Sequence, residues 1–300
     1  MSSDSNYYIP EQSAYPVMTA LAMGLLAVGG GLAVQGRGMI VLTLGFALLI
    51  VMFYLWFSTV IKENMAGLTS PRLKRSYVWG MSWFIFSEVM FFAVFFGALF
   101  YVRIYVMPWL SGEGEKSDMI SLVWPGFQAE WPLMTTPDQV VGGEKFVGPH
   151  ENMGFPGWSG FLGWLPLWNT VILLSSSVTV HFAHHAMKHN LRGKFNAWLG
   201  LTVLLGISFL IIQYIEYHEA YVEMGLTLKS GIYGTTFFML TGFHGFHVTL
   251  GTFMLLIQLI RGLKGHFSAD DQFGFEASSW YWHFVDVVWL GLFIFVYVLG

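Results

Sequence analysis

The chemistry-bearing residue in the least expected place is Glu88. It stands in Trp83-Phe-Ile-Phe-Ser-Glu-Val-Met-Phe-Phe-Ala-Val-Phe-Phe-Gly97, a stretch with no other charge. At about 1.5 Å per residue from Tyr77, its carboxyl lies roughly 16 Å along a helix, near the centre of a bilayer. A charged acid costs several kcal/mol there, so the group is expected to be neutral or to face a polar interior between helices. Its chemistry is either that of a proton-linked control point or that of an acid hydrogen-bonded to a neighbouring helix; no cationic partner is evident at its depth. His181, His184, His185 and His189 gather on one side of a second helix. They suit a metal ion or, more simply, a belt of imidazoles at lipid headgroups near a helix C-terminus, where positive charge is favoured. His244 and His247 share a face of a third helix, but haem ligation needs a facing histidine at equal depth. His181 and His283 lie nearer the other surface, so haem is disfavoured. Glu216, Glu219 and Glu223 share a face beside His218, yet no Glu-x-x-His and no His-Glu-x-x-His occurs, which disfavours carboxylate-bridged iron and zinc-protease chemistry. The chain has no Cys, so disulfides, iron–sulfur clusters and thiolate metal sites are excluded. Gly29, Gly30 and Gly31 follow no strand and read as packing residues, not a phosphate cradle. These residues give no catalytic set and no metal set; His244, His247, Glu216, His283 and Asp286 are expected to be structural polar groups.

The elements that must position them are transmembrane helices. Only 11% of the 300 residues are charged, against roughly 25% in soluble domains, and hydrophobic residues make up 55%, aromatics 18% and the mean hydropathy is +0.58. Lipid has to cover the apolar surface that polar side chains cannot. The net charge of -4 argues against a nucleic-acid partner. Apolar stretches predict seven spans, near 17–34, 39–60, 77–103, 161–183, 196–217, 232–259 and 280–299. Residues 1–16 form a polar tail without the basic and apolar regions of a cleaved signal. A loop at 61–76 separates the first two spans from the remaining five at 77–300. The 2–3, 4–5 and 6–7 loops hold Lys62, Arg72, Lys74, Arg75, Lys188, Arg192, Lys194, Arg261 and Lys264, whereas the alternate short loops hold only Arg37 and Lys229. Basic residues stay inside, which predicts a cytoplasmic N-terminus and an outer C-terminus. The segment 108–160 is a polar, Pro/Gly-rich outer insertion. Glu113, Glu115, Asp118, Glu130, Asp138, Glu144 and Glu151 outnumber Lys116 and Lys145 there, so it is either a solvated loop or a face for a basic soluble partner.

Three longer stretches carry a resemblance. Phe273-Gly-Phe-Glu-Ala-Ser-Ser-Trp-Tyr-Trp-His-Phe-Val-Asp-Val-Val-Trp289 resembles the C-terminal signature of subunit III of cytochrome c oxidase. Gly231-Ile-Tyr-Gly-Thr-Thr-Phe-Phe-Met-Leu-Thr-Gly-Phe-His-Gly-Phe-His-Val248 is similar to the sixth helix of that family, and Ser87–Gly97 to its third. Ala183-His-His-Ala186 and Glu216-Tyr-His-Glu-Ala220 extend the similarity over spans 2 to 7. The resemblance implies an all-α membrane protein with seven helices in two groups, 1–2 and 3–7, around a V-shaped cleft filled with phospholipid. It implies a non-catalytic core subunit of a proton-pumping haem–copper oxidase. Haem and copper would lie in partner subunits, with subunit I as the main contact and cytochrome c reached through the complex. By position, Glu88 matches the buried carboxylate facing the cleft, Lys62 and Glu63 match residues near lipid headgroups, and Arg261, Lys264 and His266 match a basic group that grips an anionic lipid. Two fixed cations and an imidazole also suit a phosphate on physical grounds, although a purely topogenic basic loop would look the same. The shortened loop 64–76 lacks a histidine pair that some relatives carry. The long outer insertion and polar tail lean towards a bacterial inner membrane. A quinol oxidase subunit, a stand-alone b-type cytochrome and a transporter using Glu88 are the alternatives; seven spans disfavour the first, whose common form has five.

Overall fold

The computed structural model describes residues 12–68, 70–114, 118, 122–267 and 272–300. Glu115, Lys116 and the first eleven residues of the polar tail lie outside them. Among the described residues every regular element is helical, and seven helices are long and apolar enough to cross a membrane. They are α1 (Tyr15–Val34), α2 (Ile40–Met65), α3 (Pro71–Tyr101), α4 (Leu165–Lys188), α5 (Arg192–Val222), α6 (Gly231–Leu263) and α7 (Phe273–Leu292). α3 continues through a π-helical segment, Val102–Val106, into Met107–Leu110, and α7 continues through another, Phe293–Val298. The first widening lies just ahead of Pro108, whose ring would collide with the carbonyl four residues back in a regular α-helix. Most helices overrun the apolar stretches at one or both ends. Hydropathy marks the hydrocarbon layer, while backbone hydrogen bonding continues into the headgroups.

The chain divides into two compact units, one ending at Gly80 and one running from Met81 to Gly300. In the first, α1 and α2 form a hairpin across a turn in which Gly36 and Gly38 take φ of 71° and 107°. The two helices approach at glycine: a Cβ on Gly29 would run into the backbone of Val41 and Leu42, and one on Gly45 into Leu26. Such small-residue contacts replace the hydrophobic drive that lipid cannot supply. Tyr15 closes the open end by stacking on Trp56, with centroids 6.3 Å apart, and bonding Thr59 at 3.1 Å.

The second unit is built around the indoles of α7. Trp282 and Trp289 are seven residues apart, on one face, and fully buried. Their Nε1 donors meet Ser176 Oγ at 2.9 Å and Thr170 Oγ1 at 3.0 Å on α4. Trp282 fits because its neighbours are small: a Cβ on Gly251 of α6 would lie 2.8 Å from the ring and one on Gly206 of α5 2.9 Å from it. α4 and α5 run antiparallel after a turn at Asn190, whose φ is 55°. Their seam carries Thr179 against Thr202 at 2.8 Å, and Phe182 against Trp198 with centroids 5.0 Å apart. Tyr217 of α5 bonds Thr241 of α6 at 2.7 Å. α3 joins through Phe84 on Tyr281 and Phe91 on Phe243.

The outer insertion is tied to the ends of these helices. Pro137–Val140 is a single helical turn held by a Thr136/Gln139 capping box. Asp138 accepts from the backbone N–H of Lys145 at 3.0 Å and of Phe146 at 3.1 Å, so this acid serves the loop itself, while Glu113, Asp118, Glu130, Glu144 and Glu151 are exposed. Met153 N–H donates to Tyr233 Oη of α6 at 2.9 Å, and His150 N–H to the Met224 carbonyl at 2.8 Å. Arg103, past the end of α3, donates to the carbonyls of Phe295 at 3.3 Å and Leu299 at 2.7 Å and lies 5.3 Å from the centre of the Trp131 ring.

The glycine socket gives a direct test. Gly251→Val places branched carbons inside contact distance of the Trp282 ring and is expected to cost about 1–3 kcal/mol, the usual range for overpacking. This appears as a thermal midpoint lowered by several degrees in detergent; an unchanged midpoint would contradict the packing described.

Candidate functional site

Glu88 is paired with a histidine of a neighbouring helix, a partner its sequence position did not reveal. Its Oε2 lies 2.9 Å from Nε2 of His247, 159 residues on. The pairing follows from helical geometry: Glu88 falls on the α3 face that carries Phe91 and Phe92, and both rings pack against His247. The His247 side chain is 7% exposed and that of Glu88 21%. Nδ1 of His247 lies 2.6 Å from the Phe243 carbonyl, so this nitrogen carries a hydrogen and donates, which aims Nε2 at the acid. Ser87 adds a contact at 3.2 Å to Oε1. The result is an acid–imidazole pair on two helices, inside an aromatic collar of Phe91, Phe92, Tyr281 and Phe284. Such a pair can hold and exchange a proton.

His244 stands one turn from His247, yet its surroundings differ. It is fully buried, with Nε2 3.2 Å from the Val285 carbonyl and the ring 5.0 Å from that of Trp289. Glu216 is also fully buried and accepts from Tyr297 Oη, so it faces inward, whereas Glu223 is exposed. The three acids therefore do not act as one group. Gln213 and Asn169 are buried as well, on helices adjacent along the α4–α5 seam. Asp286 is buried and accepts from Ser177, whose hydroxyl also lies 2.9 Å from His283 Nδ1. His184 meets Glu276 at 3.3 Å and packs on Phe275. Among the described residues no group of three or more His, Cys, Asp or Glu side chains is placed to hold a metal ion.

Of the basic residues around the 6–7 loop, Arg261 makes internal contacts. The Arg261 guanidinium lies 4.6 Å from the centre of the Phe267 ring, bonds Gln258 at 3.2 Å and crowds against Gly274. His266 is half-buried beside it, and Lys264 points to the exterior. Arg192 from α5 joins the cluster by reaching the Phe267 carbonyl at 3.4 Å. In the first unit, Lys62 is exposed in the last turn of α2, with Glu63 half-buried next to it. Tyr297, Ser177, Glu276 and Arg192 were not evident as site residues from sequence. The one sequence signal that could have found them is the run Ser175-Ser176-Ser177 in α4, since hydroxyls in a span demand partners.

These features define a multi-pass helical membrane protein whose buried acids and imidazoles are tied to neighbouring helices through hydroxyls, a backbone carbonyl and, for Glu88 and His247, each other. The chain belongs to the cytochrome c oxidase subunit III family. The model of that family matches residues 5–113 and 162–300, on either side of the outer insertion. Cytochrome c oxidase subunit 3 of Tetraodon nigroviridis is 37% identical over 295 residues, spanning 98% of this chain and 97% of the relative. That of Formosania lacustris is 36% identical over 297 residues and that of Hippopotamus amphibius 35% over 295, with the same shares covered. This chain is accordingly a subunit of an oxidoreductase complex.

The Glu216–Tyr297 bond can be weighed by substitution. Tyr297→Phe removes the donor from a fully buried carboxyl and is expected to cost about 1–3 kcal/mol. Glu216→Leu in the same background should recover part of that loss. Thermal midpoints of the two single variants and the double variant decide it; strictly additive losses would contradict a direct bond.

Proposed function

We propose that this chain is a non-catalytic core subunit that packs against subunit I, binds structural phospholipids, supports proton uptake and protects the active site during electron transfer from cytochrome c to dioxygen. In this reading haem and copper belong to partner subunits. The observation that carries it is the pairing of Glu88 with His247 inside an otherwise apolar collar. An ionisable pair in a span is costly, and it is retained where proton exchange near a protected surface has value. The partly exposed carboxyl faces out of the second unit, where a lipid-lined boundary would sit beside it. Lys62 and Glu63, near headgroup level, and the cluster of Arg261, Lys264 and His266 are proposed lipid contacts. The stretch Arg261–Phe267 brings cations and an imidazole together as a phosphate requires. The excess of basic residues in alternate loops supports a cytoplasmic N-terminus and an outer C-terminus. The length of the outer insertion and the polar tail are the grounds for placing the chain in a bacterial inner membrane, whereas the relatives named above are vertebrate proteins.

Glu88→Ala is expected to leave assembly intact while altering proton uptake or shortening the working life of the oxidase. Proton-pumping stoichiometry and the number of turnovers before inactivation are the measurements, and wild-type values for both would remove Glu88 from the mechanism. Replacing Arg261 and Lys264 together by Gln should strip anionic lipid from the purified complex. A phospholipid count equal to wild type by mass spectrometry would overturn the lipid assignment.

A further inference from the structure

The histidines at the C-terminal end of α4 are not used by the site described above. We infer that His185 and His189 form a two-imidazole site for a divalent transition-metal ion such as Zn2+, Ni2+ or Cu2+. The two residues are one helical turn apart and both exposed, with ring centroids 4.3 Å apart and planes inclined by 31°. His189 Nδ1 lies 2.9 Å from the His185 carbonyl. Only a protonated ring nitrogen can bond a carbonyl, so Nδ1–H donates and the lone pair of the neutral ring is on Nε2. A backbone acceptor on the far nitrogen is the arrangement that fixes the tautomer and orientation of metal-binding histidines. Borderline cations prefer imidazole, and the carbonyl end of a helix favours positive charge.

The neighbouring histidines define the limits of the site. His184 is engaged by Glu276 at 3.3 Å. His181 lies one turn before His185, but the described residues contain no group of three or more that could hold an ion. The ion is therefore held by two protein donors, with water completing its shell. Lys188, exposed on the same turn, adds a like charge. The site thus binds reversibly, and an ion bound there staples the last turn of α4 just ahead of Asn190.

The test is equilibrium dialysis of the intact, chelator-stripped oxidase against Zn2+, counted per haem. His185→Gln and His189→Gln should each lose the same single equivalent, and His181→Gln should keep it. A wild-type count in either of the first two variants, or loss of that equivalent in His181→Gln, overturns the assignment. Wild-type complex supplies a second measurement that needs no variant. One equivalent of Zn2+ should shield His185 and His189 from acylation by diethyl pyrocarbonate, read by peptide mass spectrometry, and unchanged labelling of the pair overturns the site.

Discussion

Lipid offers no hydrogen bonds, and the second unit is organised by that fact. An indole N–H carried into the interior of a span must find an acceptor on another helix or lose several kcal/mol. Trp282 and Trp289 find theirs on Ser176 and Thr170, which fixes the rotation of α7 against α4 at two levels. Once α7 is set, the other polar groups fall into reach: Asp286 at Ser177, Tyr297 at Glu216, and Val285 offering its carbonyl to His244. The glycines at 206 and 251 give the first indole its room. Polar pairs therefore supply direction and small residues supply closeness, in a medium where burying apolar surface distinguishes little between one packing and another.

The fold class, the number of spans and the family were legible in the sequence because each rests on local signals. Apolar runs of about 20 residues mark spans whatever surrounds them, and the stretches at 87–97, 231–248 and 273–289 carry their resemblance in residue order alone. The partners of the buried groups were not legible. Glu88 and His247 are 159 positions apart, and only the packing of α3 on α6 brings them within a hydrogen bond. Tyr297 read as one more aromatic near the end of a span, and nothing local tied it to Glu216. The helices extend beyond the apolar stretches, since hydropathy falls at the headgroups while the helical bonds of α3, α5 and α6 continue.

The position of His247 also separates two kinds of histidine on one helix face. His244 is sealed between Phe209 and Trp289, so its role is to hold α6 against α7. His247, a single turn away, meets an acid that retains partial access to the exterior. A shift of one turn along α6 thus changes an imidazole from a structural pin into half of an ionisable pair, with Phe92 and Phe284 walling it in.

The bonds that fasten the outer insertion to α6 give that segment mechanical leverage. Tyr233 holds the Met153 amide, and Thr136 sits against Gly231, where the helix begins. From Tyr233 the helix runs unbroken to Leu263, so His247 rides on the same rod about 21 Å further along by helical rise. A protein that grips the outer face and turns or lifts this segment would be handling one end of a lever whose other half carries the imidazole of the membrane-embedded pair.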